Sequence, residues 1–305
     1  MKIYKNFNLK KKHKGAIILI GNFDGVHLGH RKLFKKACDY KKKFKLDIGV
    51  LTFEPMPKKF FNRNLKNFRI SNFEQKISLL KELGVDFIIN KKFDYNFSKI
   101  KSYDFIKNII YQKLNAKFIF VSNNFRYGNK RKGNVTQLIS HESKFGYKII
   151  KPEPLKIMKK VTSSTLIRNL LEIGQLDKVN KLLNRNWAIC GQVERGREIG
   201  KKIGFPTCNI DIKDYVLAKP GVYAVRVLKK NSKSMIKGIA NLGYRPTFNQ
   251  KKLLLEVHLF NFSGNLYNKY LSVEFLKFIR MEKKFKNAEQ LKNQIKSDLL
   301  IARNV

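Results

Sequence analysis

Two histidines three residues apart, His27 and His30, close the stretch "GNFDGVHLGH", which runs from Gly21 to His30. It follows a short apolar run, "AIILI", and precedes a lysine-rich segment with helical periodicity. Gly21 and Gly25 suit tight turns between a strand and a helix. Imidazoles spaced i and i+3 lie on one side of a first helical turn. Exposed amides and the helix dipole already favour phosphate at that place. Two imidazoles there can hydrogen-bond phosphate oxygens and stabilise the charge that develops on a triphosphate. The spacing predicts nucleotidyl transfer, in which an alpha-phosphate is attacked and pyrophosphate leaves. A lone histidine in this setting reads as a surface residue; two of the chain's five histidines, directly after strand, Asp24 and Gly25, point instead to a site.

A second group of residues lies in the C-terminal part. In "LLLEVHLF", alternation puts Leu253, Leu255, Val257 and Leu259 on one face and Glu256 and His258 on the other. A carboxylate among apolar neighbours has a raised pKa, which suits a general base; alternation alone equally allows a solvent-facing Glu256, and His258 reads as a polar residue of the same face. In "GFPTCN" the Gly-Phe-Pro turn fixes the backbone, so Thr207 and Asn209 offer oxygens on one strand face. Gly200 and Gly204 let the loop approach phosphate closely. Cys208, between the two oxygen donors, points the other way and reads as packing.

The elements that must position these residues change character along the chain. The first part alternates strands ("AIILI", "DIGVLTF", "VDFIIN", "KFIFVS", "YKIIKPEPL") with helices, the first from His27 to about Phe44. Ser71 and Glu74 stand at capping-box spacing before another helix. "SYDFIKNIIYQKL", "SSTLIRNLLEIG" and "LDKVNKLL" also read as helical. This alternation predicts an α/β doubly wound parallel sheet. Near Asn184 to Trp187 the pattern gives way to period-two runs, from "WAICGQV" to "YLSVEFLKFIR", and these predict a closed antiparallel β-barrel. A C-terminal helix follows, with Asn287 as its N-cap. The expected domains are residues 1–184 and 185–305.

The chain of 305 residues is long enough for two cores. It has no apolar run of membrane-spanning length and no signal-peptide pattern. Its three widely spaced cysteines read as free thiols in a reducing cytoplasm. The net charge of +43 is spread over every segment together with abundant Ile, Asn and Phe. That dispersion reads as a compositional bias that draws anionic substrates such as ATP, rather than as a footprint for a specific nucleic acid.

"GNFDGVHLGH" resembles the signature of the His-x-Gly-His nucleotidyltransferase superfamily, and "SSTLIR", Ser163 to Arg168, resembles its second signature. "GKKIGFPTCNI", "PGVYAVRV", "IANLGYRPTF", "LEVHLFNFSGNLY" and "VEFLKFIRMEKKF" resemble riboflavin kinase. With "TFEPMPKKF" the set covers nearly the whole chain in order, and the sequence is identified as similar to the bifunctional riboflavin kinase/FAD synthetase family. The resemblance implies phosphorylation of riboflavin to FMN and adenylylation of FMN to FAD. It implies ATP and phosphate contacts from Gly21, Phe23, Asp24, Gly25, Asn124, Ser164, Thr165, Arg168, Gly200 and Gly204. His27 and His30 would stabilise adenylyl transfer, and Glu256 would be the base toward the ribityl 5'-hydroxyl. Thr207 and Asn209 would hold Mg²⁺ and nucleotide phosphate, with ATP as co-substrate. Arg280 would contact flavin, or else be a surface charge at a strand end. The implied partners are riboflavin, FMN and ATP, with no membrane, and the implied state is a monomer or weak homo-oligomer. Three positions depart from the family pattern: Asn123 lacks a usual carboxylate, Lys201 replaces Arg and Asn268 replaces Gly. Two other readings compete, a different His-x-Gly-His transferase with a fused barrel and a basic nucleic-acid-binding protein. "GFPTCN" and "LEVHLF" argue against the first, and the even charge argues against the second.

Overall fold

A computed structural model describes every residue except 158, 197–199, 201–203, 213, 230–231, 233 and 247–250; Lys201 therefore lies outside the described residues. The chain forms two compact units. Met1–Leu65 with Lys76–Thr162 make the first, and Lys66–Gln75 with Ser163–Val305 make the second.

The first unit is built on a six-stranded sheet: β1 (Lys2–Tyr4), β2 (Ile17–Ile20), β3 (Ile48–Glu54), β4 (Phe87–Lys92), β5 (Phe118–Phe120) and β6 (Lys148–Ile150). Their order is β1-β4-β3-β2-β5-β6 and every pairing is parallel. Both faces are covered, as parallel sheets require. Alternation divides the strand residues between two apolar cores. Ile18, Ile20, Leu51 and Ile119 enter one, and Ile17, Leu19, Val50 and Phe120 enter the other. Helix α1 (Leu28–Phe44) follows β2, with His27 as its N-cap. Helix α2 (Phe73–Glu82) leads toward β4. The strand order reverses between β2 and β5, and the crevice at such a switch point, beyond the carboxyl ends of the strands, is where doubly wound sheets bind ligands.

Two expectations are corrected. Strand β1, which pairs with β4, was not foreseen in the basic N-terminus. The capping box of α2 is set one residue later than Ser71 and Glu74. The Asn72 amide donates to Gln75 Oε1 at 2.9 Å and the Gln75 amide to Asn72 Oδ1 at 2.8 Å. Asn72 wins because its side-chain amide oxygen reaches the backbone N–H three residues on, while Gln75 returns the bond.

In the second unit, helices α3 (Ser164–Glu172) and α4 (Leu176–Leu183) precede a closed barrel. Its strands are β7 (Ala188–Glu194), β8 (Cys208–Asp211), β9 (Gly221–Lys229), β10 (Met235–Pro246), β11 (Lys251–Leu259) and β12 (Tyr270–Arg280), in the order β7-β8-β11-β10-β9-β12. All pairings are antiparallel. Phe275, Tyr223 and Trp187 interlock in its interior, with ring centroids 5.0 Å and 4.7 Å apart about Phe275. The C-terminal helix α5 (Ala288–Arg303) is capped by Asn287, whose Oδ1 accepts from the Gln290 amide. Leu299 and Ala302 of α5 pack on Val222, Ala224 and Ile239. All three cysteines are free thiols. Burial pushes the Cys208 thiol up to about 11, so it stays protonated and serves as packing.

Candidate active sites

The turn between β2 and α1 is the first site. Its backbone is unusual: Phe23 has φ 49° and Val26 φ 39°, beside Gly25 at φ 78°. A β-branched residue at positive φ is a true outlier. Such positions cost about 1–3 kcal/mol each and persist where the surroundings over-determine them, typically at functional sites. Phe23, Asp24, Val26 and His27 are all buried. His27 Nδ1 accepts the His30 backbone N–H at 3.4 Å, so a neutral His27 carries its proton on Nε2 as a donor.

The two imidazoles stack with centroids 3.7 Å apart and 19° between planes. Phe23 meets His30 edge-on at 5.1 Å. His30 is half-buried as a residue, but its Nδ1 is shut from solvent and has no hydrogen-bond partner among the described residues. Burial first, and the neighbouring His27 second, hold the His30 pKa well below the usual 6.5. The His30 ring is therefore neutral near pH 7 and able to donate to phosphate.

Gly29, which sequence reasoning did not single out, permits this stacking. A Cβ there would lie 3.2 Å from both Cε1 and Nδ1 of His27 and 3.2 Å from the Thr162 carbonyl oxygen. The Thr162 hydroxyl is buried without a hydrogen-bond partner among the described residues. Gly21 follows β2 directly, and Asn124 lies exposed beyond the carboxyl end of β5, the strand beside β2. Asn124 Oδ1 accepts from Ser122 Oγ at 2.9 Å. Ser164, Thr165 and Arg168 belong to the other unit, on α3. There Ser163 caps the helix through the Leu166 amide. Arg168 Nε donates to the Phe68 carbonyl at 2.7 Å, and its guanidinium lies 3.6 Å over the Phe68 ring. This anchor had no signal in the sequence, because Phe68 is 100 residues away.

The second site is a cavity of about 500 Å³ on the outer face of the barrel. It gathers Gly200, Thr207, Asn209, Glu256 and Arg280; Gly204 is not among its lining residues. Glu256 faces away from Leu255 and Val257, which are buried in the barrel, as alternation predicts. Register sets Glu256 opposite Asn209 on one side and opposite Asn241 on the other. Directly opposed residues share a face, so the three polar side chains form a row across β8, β11 and β10. Asn241, missed in the sequence, is placed there by register alone.

Asn209 is buried, and its Oδ1 has no hydrogen-bond partner among the described residues. A Cβ at Gly200 would collide with the Phe205 carbonyl oxygen and lie 3.4 Å from Thr207 Oγ1. His258 Nδ1 lies 2.8 Å from the Pro206 carbonyl oxygen and donates to it, tying down the turn before Thr207. Two neutral oxygens, one of them an orphaned acceptor, suit a hard cation that arrives with nucleotide phosphates. Among the described residues no cluster of three His, Cys, Asp or Glu could hold a metal by itself.

Arg280, at the end of β12, is heavily engaged. Its Nε donates to both Asp298 carboxylate oxygens at 2.9 Å, its Nη2 to Asp298 Oδ2 at 2.7 Å and its Nη1 to the Met281 carbonyl at 2.9 Å. Asp298 is only 2% exposed and also accepts from Gln294 at 2.9 Å. A buried, bidentate pair of this kind fixes α5 to the barrel beside the cavity.

Two family models match the chain in succession. A family model described as FAD synthetase matches residues 9–166, and one described as riboflavin kinase matches residues 183–305. The chain is 39% identical to the bifunctional riboflavin kinase/FMN adenylyltransferase of Buchnera aphidicola subsp. Acyrthosiphon pisum, over 99% of this chain and 97% of that protein. It is 36% identical to the enzyme of the same name from Escherichia coli strain K12, over 95% of this chain and 92% of that protein. A crystal structure described as a macrolide-efflux protein from Streptococcus pneumoniae shares the fold at a TM-score of 0.88 and 28% identity, covering 99% of this chain and 98% of that one.

Proposed function

The chain belongs to the bifunctional riboflavin kinase/FMN adenylyltransferase family, and from that premise we propose how its residues divide the two reactions. The enzyme phosphorylates riboflavin with ATP to FMN, then transfers AMP from a second ATP to FMN, giving FAD and pyrophosphate.

In our reading the kinase reaction belongs to residues 185–305. Glu256 takes the proton of the ribityl 5'-hydroxyl as that oxygen attacks the γ-phosphorus of ATP and ADP leaves. Thr207 and Asn209 hold Mg²⁺ and phosphate oxygens, and Gly200 and Gly204 shape the phosphate loop. Bound there, Mg²⁺ would neutralise charge on the transferring phosphoryl group. Arg280 serves the flavin end, through remaining donors or through its hold on α5. The single observation that carries this reading is the row Asn209, Glu256, Asn241 lining one cavity.

Adenylyl transfer belongs to residues 1–184. An FMN phosphate oxygen attacks the α-phosphorus of ATP, and the bond to the pyrophosphate oxygen breaks. His27 and the neutral His30 donate to the oxygens on which charge develops. Gly21, Phe23, Asp24, Gly25 and Asn124 border the nucleotide, and Ser164, Thr165 and Arg168 contact its phosphates.

The enzyme acts in the cytoplasm, as a monomer or weak homo-oligomer, and its dispersed charge serves anionic substrates rather than a specific nucleic acid. No helix among the described residues is long and apolar enough to cross a membrane.

The test is to incubate variants with riboflavin, ATP and Mg²⁺ and separate FMN from FAD. Glu256→Gln should lower FMN formation at least about a hundredfold while still converting supplied FMN to FAD. His27→Ala or His30→Ala should accumulate FMN and lose FAD by roughly two to three orders of magnitude. A Glu256→Gln kinase within a few-fold of wild type, or near-normal FAD synthesis without either histidine, would overturn the assignment.

A further inference from the structure

Helix α2 carries a lysine, Lys76, that is only 4% exposed. Lysine is almost never buried so far unless its charge is held. Its Nζ donates to Thr52 Oγ1 at 3.1 Å and approaches the backbone carbonyl oxygen of Asn22 at 3.5 Å. Thr52 is fully buried near the carboxyl end of β3. Asn22 is the second residue of the turn from Gly21 to His27. The ammonium thus reaches from α2, past β3, into the segment that carries Asp24 and His27. That segment holds Phe23 and Val26 at positive φ, a backbone that stays put only where its surroundings fix it. A bond donated by a charged group is stronger than a neutral one, and here it ends on the carbonyl just before the first strained residue.

We propose that Lys76 is a positioning residue for adenylyl transfer: anchored on Thr52, its ammonium fixes the Asn22 carbonyl and so the turn that aims His27 and His30 at the nucleotide. The proposal rests on the reading of this turn as the adenylyl-transfer site. The lysine does not touch the reacting atoms; it acts through the loop. Its removal should therefore impair the transition state more than the binding of FMN.

The experiment uses the full chain with Lys76→Met, which keeps the stem and removes donor and charge. FAD formation is measured at varied FMN and ATP, beside kinase turnover of the same preparation and its unfolding temperature. The kcat of FAD formation should fall about ten- to a hundredfold, with KM for FMN changed little and kinase turnover unchanged. Thr52→Val, which removes the acceptor at equal size, should give a smaller loss of the same kind, and Thr52→Ser should restore most of it. Lys76→Met combined with Thr52→Val should be no worse than Lys76→Met alone, because both act through one path. A kcat within about twofold of wild type, or a loss that vanishes once rates are normalised to folded enzyme, would overturn the proposal. Should Lys76→Met fail to fold, Thr52→Val against Thr52→Ser decides, and equal kcat in that pair also overturns it. His30→Ala, run alongside, separates the premises. If it leaves FAD synthesis intact, the reading of the site has failed; if it is inactive while Lys76→Met is normal, only the role of Lys76 has.

Discussion

The histidine pair has a consequence for pH that follows from its packing. Burial lowers the pKa of His30 well below 6.5, and burial also lowers that of His13, despite Asp47 3.7 Å away. In the unfolded chain both groups titrate near 6.5. As pH falls through that value, the unfolded state takes up protons that the folded state does not. Their contribution to stability is therefore complete above about 6.5 and is lost as pH falls from there toward the lower folded values. The unfolding temperature should be lower at about pH 5.5 than at about pH 7.5, and His30→Ala should shrink that difference. A difference between the two pH values that His30→Ala leaves unchanged would mean that His30 titrates normally. The step of the acid limb of FAD synthesis that His30 sets should likewise lie below about 6.5, since that ring stays neutral past this point in the folded protein.

Among the elements, α1 departs from helix propensity where it begins. Gly29 sits in its first turn, although glycine is a poorer helix former than alanine. The reason is the His27 ring, which a Cβ would meet at 3.2 Å. Gly29→Ala should lower FAD formation about tenfold or more by displacing that ring, with the kinase unaffected. Undiminished FAD formation in this variant would show that the stacking is incidental.

The same contrast explains what the sequence could reveal. Buried parallel strands such as Ile17–Ile20 and the alternating Leu253–Leu259 were legible because burial imposes a period on the residues. The His-x-Gly-His turn was legible because strand, turn and helix signals are local. Strand β1 was not, because at the sheet edge only Tyr4 of its three residues is buried. The capping box slipped by one residue because Ser71 and Asn72 are both able caps. The row Asn209, Glu256, Asn241 and the anchors of Arg168 and Lys76 depend on register and on distant partners. A buried Lys76 also runs against the expectation that lysine faces water.

For the whole molecule, the cavity residues named for the kinase lie between Gly200 and Asp298, all after residue 185. The supports of the barrel begin earlier in the chain. Trp187, 1% exposed, donates its backbone N–H to Asn180 Oδ1 at 2.8 Å and its Nε1–H to the Ile70 carbonyl at 2.9 Å. Asn180 on α4 also donates to the Phe275 carbonyl at 3.1 Å. Asn72 and Gln75 donate to the Cys190 and Ala188 carbonyls at 3.3 Å and 3.0 Å. A fragment of residues 185–305 keeps the whole cavity but loses all of these. It should phosphorylate riboflavin and make no FAD, since it lacks the histidine turn. A fragment of residues 163–305 regains α4 and the two Asn180 bonds, each worth about 1 kcal/mol. In a domain of this size it should unfold roughly 5–10 °C higher than the shorter fragment, with similar kcat for FMN formation. The measurements are thermal unfolding of both fragments and their FMN production with ATP and Mg²⁺. Equal unfolding temperatures would show that the Asn180 bonds add nothing to the barrel. A fragment 185–305 that unfolds cooperatively yet phosphorylates nothing would mean that the kinase site needs residues before 185, and the assignment of the kinase to 185–305 would fail.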